Sequence, residues 1–297
     1  MAEFDDFYYS ANDGLKLHAR VYAAAGTSPG ALPAICLPGL TRNARDFHEL
    51  ALHLSREAAT RRTVIAFDYR GRGLSQHDRD WRNYDPLVEA GDVMAGLTAL
   101  GVENGVFIGT SRGGLIVFVI AAMRPALLRA VVLNDIGPVV DGAGLAQIRA
   151  YLERAPKPRS MAEAVALQKA AQGAAFPALT VRDWERAAAA LFTERDGRLV
   201  PDFDPALLNT LKSIDLSRPL PALWPQFLGL ASVPVLAIRG ENSSLLSAET
   251  LAGMAQRHPD IRTVTIAGQG HAPFLETAGL PGRIAVFLEQ ADRKSGL

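Results

Sequence analysis

The sequence predicts an α/β fold in which a mostly parallel sheet, flanked by helices, is interrupted by one helical insertion. Short apolar, β-favouring segments alternate with longer helical segments up to about residue 138. The alternation stops between residues 139 and 229, where the pattern is helical and rich in alanine, and it resumes at residue 230. Such alternation is typical of parallel sheets with helical crossovers. We therefore divide the chain into a core, residues 1–138 and 230–297, and an insertion, residues 139–229.

Each predicted element follows from local pattern. The first is a hairpin, because Asn12-Asp13-Gly14 is a turn signal between the aromatic segment 7–9 and the segment 15–22. Short β-favouring runs bounded by loops predict further strands at residues 34–37, 64–68, 106–109, 130–134, 233–238 and 263–266. Helices are predicted at residues 46–54, 86–100, 115–123, 145–152, 161–172, 181–191, 205–211, 248–257 and 284–291.

Composition limits the function classes. The chain has 297 residues, of which 48% are hydrophobic, and a formal net charge of zero. The neutral balance gives no electrostatic reason to expect nucleic acid or an anionic membrane as a partner. The acidic start lacks the basic and apolar parts of a signal peptide, and no apolar run has membrane-spanning length, so we expect a cytoplasmic protein. The single cysteine, Cys36, lies in an apolar segment and is expected to be a buried, inert thiol. Nothing in the sequence predicts an oligomeric state.

The segment 106–116 carries the motif around which the chain is organised. A β-favouring run turns at Gly109-Thr110-Ser111-Arg112-Gly113 and continues as a helical segment. A serine in a tight strand-to-helix turn projects its hydroxyl above the sheet, and the flanking glycines let the two arms approach closely. The N–H groups at the start of the helix favour a developing negative charge. The pattern predicts that Ser111 is a nucleophile; the alternative is a glycine-rich turn without chemistry.

A serine nucleophile requires a base within hydrogen-bond reach. His271 is the candidate, because it follows the last predicted strand in a glycine-rich loop. Loops at the carboxyl ends of parallel strands converge on one face of the sheet, where Ser111 is also expected. The other five histidines lie in contexts typical of structural or surface residues: His18, His48, His53, His77 and His258.

The chain resembles the α/β-hydrolase superfamily in four features: the Gly109–Gly114 motif, the late Gly270-His271 pair, the loop 68–75 and the placement of the insertion. The resemblance covers essentially the whole chain. It implies a mostly parallel eight-stranded sheet, a Ser-acid-His triad and an all-helical cap formed by the insertion. It also implies an oxyanion hole made by the backbone N–H groups of Leu40, after the Pro38-Gly39 pair, and of Arg112, directly after the nucleophile.

Two positions compete for the triad acid. Relatives usually carry an aspartate in the loop after strand 233–238, but here Asn242-Ser243-Ser244 stands there, which leaves only Glu241. Other branches take the acid from the end of the strand that precedes the cap, where this chain has Asp135. We assign Asp135, which would hold the imidazole tautomer and stabilise the imidazolium. Glu241 is the alternative, and a turn-capping role is the non-catalytic interpretation of Asp135.

The sequence signals for substrate-binding residues are less specific than those for the triad. The aromatic residues of the insertion are expected to be mostly packing, with Trp184 and Trp224 as candidates for the substrate pocket. The Arg112 side chain could meet a polar acyl group, but a structural ion pair is favoured. No Cys/His spacing suits a metal, and the glycine-rich segments lack the lysine of a phosphate-binding loop, so no metal or cofactor is expected.

These features predict a cofactor-independent serine hydrolase that cleaves a small-molecule carboxylic ester through an acyl-enzyme. A lactonase would use the same residues. A carbon–carbon hydrolase of ring-cleavage products is also possible, although its relatives carry a Gly/Ser-rich loop where this chain has Leu40-Thr41-Arg42-Asn43. A non-catalytic ligand-binding member of the fold is the alternative from a different class. A serine rather than an aspartate nucleophile argues against dehalogenase and epoxide hydrolase chemistry.

Overall fold

The computed structural model describes residues 3–26, 28–154 and 157–294. Within these residues the strands are β1 (Asp5–Ser10), β2 (Lys16–Tyr22), β3 (Ala34–Leu37), β4 (Val64–Asp68), β5 (Gly105–Thr110), β6 (Leu128–Asn134), β7 (Phe192–Arg195), β8 (Arg198–Pro201), β9 (Val235–Gly240) and β10 (Ile261–Ile266). The α-helices are α1 (His48–Leu52), α2 (Pro86–Ala99), α3 (Arg112–Met123), α4 (Gly142–Glu153), α5 (Met161–Gln172), α6 (Val181–Leu191), α7 (Leu208–Lys212), α8 (Trp224–Leu228), α9 (Ala248–Arg257) and α10 (Leu280–Lys294).

The main sheet has eight strands in the order β1-β2-β4-β3-β5-β6-β9-β10. Strand β2 is antiparallel to both β1 and β4, and every other neighbouring pair is parallel. The prediction of a mostly parallel sheet flanked by helices is therefore confirmed.

The central strands are buried on both faces. In β3, Ile35 and Leu37 belong to the apolar cluster under α2 and α3, whereas Ala34 and Cys36 belong to the cluster on the opposite face under α10. This is the two-residue alternation of a strand, and helices on both faces explain why the strand is continuously apolar. Burial raises the pKa of the Cys36 thiol, which agrees with an inert role.

The insertion is not all-helical, which corrects the prediction. Between β6 and β9 the described residues form helices α4 to α8 and one antiparallel hairpin, β7 paired with β8. The turn is Asp196-Gly197, whose φ angles of 52° and 69° are both positive. Asp-Gly favours such turns because both residues tolerate left-handed backbone. The strands have four residues each, too few for a period of two to stand out.

One helical prediction was also too simple. The segment 46–54 begins as a 3-10 helix, Ala44–Phe47, continues as α1 and ends as a π-helical turn, His53–Glu57. Its first cap is Asn43, whose side chain accepts a hydrogen bond from the Arg45 N–H. The last helix is longer than predicted and begins at Leu280.

Hydrogen bonds dock the insertion onto the loops that follow β3 and β4. The Asp204 N–H donates to the Gly71 carbonyl at 2.7 Å, and the Gly73 N–H donates to the Asp202 carbonyl at 3.1 Å. The Asn43 side-chain amide donates to the Ala190 carbonyl at 2.8 Å. These loops lie at the carboxyl ends of parallel strands. The insertion therefore covers the same end of the sheet at which the candidate site residues lie.

Candidate active site

The turn between β5 and α3 places Ser111 in a backbone conformation that few residues adopt. Its φ is 50° and its ψ is −111°. A Cβ on Gly109 would lie 2.7 Å from the Gly113 carbonyl carbon, and a Cβ on Gly113 would lie 2.1 Å from the Leu37 carbonyl oxygen. Only glycine fits these two positions, because strand β3, strand β5 and the first turn of α3 meet there. The close packing makes the turn sharp enough to project the serine.

The structure brings Ser111, His271 and Asp135 into one hydrogen-bonded chain. His271 Nε2 lies 2.9 Å from Ser111 Oγ, and His271 Nδ1 lies 2.8 Å from Asp135 Oδ2. An ionised carboxylate only accepts hydrogen bonds, so Nδ1 carries the proton and Nε2 is free to accept the serine O–H. Ser111, Asp135 and His271 directly follow or lie soon after β5, β6 and β10. Because these strands run parallel in one sheet, residues that are far apart in the sequence meet at the same end of the sheet.

Asp135 is fully buried, and its carboxylate has two further donors. The Gly240 N–H donates to Oδ1 at 2.8 Å, and the Ser243 hydroxyl donates to Oδ2 at 2.5 Å. The loop 241–247 therefore supplies a hydroxyl to the carboxylate instead of supplying an acid of its own. These contacts fix the carboxylate plane against the imidazole.

Glu241 has a different place in the structure. Its carboxylate accepts the Gly268 N–H at 2.8 Å and joins the loop after β9 to the loop after β10. No hydrogen bond connects it to His271 in the described ranges. The geometry thus pairs His271 with Asp135.

The backbone N–H groups of Leu40 and Arg112 are the expected oxyanion donors. Leu40 and Ser111 both line one cavity, and Arg112 is the first residue of α3. Within residues 3–26, 28–154 and 157–294, neither N–H donates a hydrogen bond to a protein acceptor. The first N–H groups of a helix have no intrahelical acceptor, and a pair of free donors is what an oxyanion requires.

The Arg112 side chain forms the structural ion pair that the sequence favoured. Its Nε donates to Glu89 Oε2 at 2.8 Å and its Nη2 donates to the Tyr84 carbonyl at 2.7 Å. The second glutamate oxygen, Oε1, accepts Arg72 Nη1 at 2.6 Å. Burial by itself would raise the pKa of Glu89, but the two guanidinium groups outweigh burial and hold it below its usual value. No local motif marks Glu89, because its partners come from other elements.

Ser111 and His271 open into a cavity of about 750 Å³. Trp184 of the insertion lines it and packs edge-on against Phe176 and Phe274, with ring centroids 6.1 and 6.3 Å away. The expectation for Trp224 is corrected, because this residue is not among those that line the cavity. It packs against Phe227 at 6.0 Å and under the Arg257 guanidinium at 4.0 Å, where helix α8 returns to the core.

Glu276 is a carboxyl in the cavity wall, and within the described part of the chain it forms no ion pair at contact distance. Burial, assisted by the nearby Asp46 and only partly opposed by Arg186, raises its pKa from 4.5 to about 7. A folded-state pKa above the unfolded value stabilises the fold at low pH, and this contribution is lost as pH rises from about 4.5 to about 7.

We therefore expect Glu276→Gln to raise the thermal midpoint by a few degrees at pH 8 and to leave it unchanged near pH 4.5. Thermal denaturation at both pH values measures this difference. Glu49→Gln is the control, because Glu49 also lines the cavity but faces Arg186 at 3.9 Å. A gain in Glu276→Gln that is equal at both pH values, or absent at pH 8, would contradict the prediction.

The described residues contain neither a candidate metal site nor a helix that could span a membrane. No cluster of three or more His, Cys, Asp or Glu side chains there could hold a metal ion. Likewise, none of the helices over these ranges is both long and apolar enough to cross a membrane.

Known proteins resemble this chain over nearly its full length. A family profile described as alpha/beta hydrolase fold matches residues 33–278. A 3-hydroxybutyrate-oligomer hydrolase from Cupriavidus necator is 30% identical over 280 residues, which cover 91% of this chain and 92% of that protein. A 2-(acetamidomethylene)succinate hydrolase from Mesorhizobium japonicum is 30% identical over 234 residues, covering 78% and 79% of the two chains.

Solved structures agree with these sequence matches. The crystal structure of an alpha/beta hydrolase from Novosphingobium aromaticivorans superposes with a TM-score of 0.89 at 37% identity, covering 98% of this chain and 99% of that chain. The family match spans both parts of the core and the insertion between them. The chain therefore belongs to the alpha/beta hydrolase fold family and is a hydrolase.

Proposed function

We propose that this hydrolase cleaves a carboxylic ester of a small molecule through an acyl-enzyme formed on Ser111. The observation that carries the proposal is the chain of hydrogen bonds from Asp135 through His271 to Ser111 at the wall of a cavity. An activated serine beside two free backbone donors is the arrangement that acyl transfer requires. No step of this chemistry needs a cofactor.

In the proposed reaction, His271 Nε2 takes the Ser111 proton as Oγ attacks the carbonyl carbon of the ester. The N–H groups of Leu40 and Arg112 stabilise the oxyanion, at roughly 3–4 kcal/mol for each well-placed donor. His271 then protonates the leaving alcohol, and it later activates the water that releases the acid. Asp135 keeps the imidazole in the required tautomer and stabilises the imidazolium.

The cavity wall suggests which esters fit. Trp184, Phe176 and Phe274 form an apolar surface within it, which favours an apolar acyl or alkyl group. An ester bond is also what joins the units of a hydroxy-acid oligomer, the substrate that the Cupriavidus relative is named for. Since residues of the insertion supply much of this wall, we propose that the insertion acts as the cap that sets the substrate.

Hydrolysis of p-nitrophenyl acetate, butyrate and octanoate by the purified protein tests the proposal. We expect release of p-nitrophenol and a mass increase of one acyl group on Ser111 in a quenched reaction. A γ-lactone and a vinylogous ring-fission dienoate assayed in parallel separate the lactonase and carbon–carbon hydrolase alternatives. Binding of such compounds without any turnover would reject the proposal and would favour the non-catalytic member of the fold.

A further inference from the structure

The glutamate on helix α2 binds the side chain of Arg112, which carries one of the free N–H groups, and the side chain of Arg72, which contacts Leu40. Glu89 Oε2 accepts the Arg112 Nε at 2.8 Å, and Oε1 accepts the Arg72 Nη1 at 2.6 Å. Glu89 is completely buried, as is Arg72. We refer to Glu89, Arg72 and Arg112 together as the Glu89 clamp.

Arg72 extends the clamp to the first candidate donor. Its Nε donates to the Leu40 carbonyl at 2.8 Å, and its Nη1 also donates to the Arg70 carbonyl at 2.7 Å. The guanidinium lies 5.5 Å from the ring centroids of both Tyr69 and Tyr84, so it is enclosed on its faces as well. A fixed donor on the Leu40 carbonyl restricts rotation of the adjoining peptides, and hence the direction of the Leu40 N–H.

Arg112 extends the clamp to the second donor. Its backbone N–H directly follows Ser111, and its side chain is held by Glu89 and by the Tyr84 carbonyl. The start of α3 is therefore tied to α2 at the residue that carries the second proposed donor. The clamp carries two guanidinium charges and one carboxylate, which leaves a formal positive charge behind the two donors.

We propose that Glu89 is a positioning residue that holds both oxyanion donors, the Leu40 N–H through Arg72 and the Arg112 N–H through the Arg112 side chain. The inference rests on the proposed serine mechanism, because only an oxyanion gives these two N–H groups a common ligand. Donors act on the transition state through their direction and distance, so a loosened clamp lowers turnover without weakening the ground-state complex.

A matched pair of inhibitors tests this directly. An alkyl trifluoromethyl ketone forms a tetrahedral adduct with an active serine, whereas the corresponding trifluoromethyl alcohol has the same shape and cannot be attacked. In Glu89→Gln we expect the ketone to bind at least ~10-fold more weakly, the alcohol to bind as in the wild type, and kcat to fall with KM nearly constant. A lost donor typically costs ~10²–10³ in kcat, and a displaced donor should cost less.

Asp92→Asn is the control, because Asp92 is a buried carboxylate on the same helix and pairs with Arg70 at 2.7 Å instead of Arg72. Asp92→Asn should lose about as much stability as Glu89→Gln does, but it should keep the wild-type ratio of ketone affinity to alcohol affinity. If Glu89→Gln does not fold, Arg72→Lys gives the same test, since lysine keeps the charge and cannot reproduce the fork that reaches both Glu89 and Leu40.

The outcomes separate the two proposals. A wild-type protein that hydrolyses no ester and does not prefer the ketone over the alcohol would reject the serine mechanism itself. A wild type with that preference, together with Glu89→Gln and Arg72→Lys variants that keep it, would overturn the positioning role alone. Equal weakening of ketone and alcohol in the variants would also overturn it, because that pattern indicates general structural damage.

Discussion

Replacement of Ser111 by alanine should reduce kcat for p-nitrophenyl esters by a factor of ~10⁴ or more, because the residues of a catalytic triad act as a unit. Among the described residues, the Ser111 hydroxyl is the hydrogen-bond partner of His271 Nε2, at 2.9 Å. Alanine fits the same turn, and the His271–Asp135 contact does not depend on the hydroxyl. We therefore expect the folded protein to persist with a similar thermal midpoint while acylation stops.

Ser244→Ala provides the matched control for this variant. Ser244 also lines the cavity, but its side chain makes no hydrogen bond with His271 or Asp135. Steady-state kinetics should show nearly wild-type kcat for Ser244→Ala. Retention of more than about a tenth of the wild-type kcat by Ser111→Ala would mean that another group carries the reaction, because triad losses are far larger.

The second large effect is expected from Asp135→Asn. An asparagine presents an N–H₂ group or a neutral oxygen to His271 Nδ1, so the imidazole loses the partner that holds its proton on that nitrogen. By comparison with the same change in a serine protease triad, kcat should fall by ~10³–10⁴, with little change in KM. The Gly240 N–H and the Ser243 hydroxyl would also lose a charged acceptor, so a lower thermal midpoint is expected as well.

Two further variants locate the acid. Glu241→Gln should retain most of the activity, because its carboxylate accepts the Gly268 N–H at 2.8 Å and forms no hydrogen bond with His271 in the part of the chain that the structure describes. Ser243→Ala should have an intermediate effect, since it removes a donor 2.5 Å from Asp135 Oδ2 without removing the charge. A Glu241→Gln variant as inactive as Asp135→Asn would show that the acid has been assigned to the wrong residue.

Much of the fold could be predicted because its signals are local. The strand Val64–Asp68 and the helices Met161–Gln172 and Val181–Leu191 have the bounds that the pattern predicted. The strand is strongly apolar, and both helices begin directly after a residue that favours the N-cap position, Ser160 and Thr180. The hairpin β7–β8 was missed because it consists of two four-residue strands in a region where the surrounding pattern is helical.

The two tryptophans show why cavity residues are harder to predict than strands. Trp184 and Trp224 both lie in aromatic, helical contexts of the insertion, yet only Trp184 lines the cavity. The face that a helix turns toward a cavity depends on what packs against its other faces. For Trp224 that packing is decided by Phe227 and Arg257, one of which lies more than thirty residues away in the chain.

The sequence by itself determined the class of fold, the turn at Ser111 and the position of His271 in the last loop of the core. Those features depend on residues that are neighbours in the chain: glycines beside a serine, an apolar run before it, and a glycine-rich loop after a strand. Only the tertiary structure decided that Asp135 rather than Glu241 contacts His271, that Ser243 supports that contact, and that Glu89 ties Arg72 to Arg112. Each of these contacts is a hydrogen bond between side chains from different elements of the fold. The distance between such side chains is set when the parallel strands and α2 pack together. No short stretch of the chain determines it.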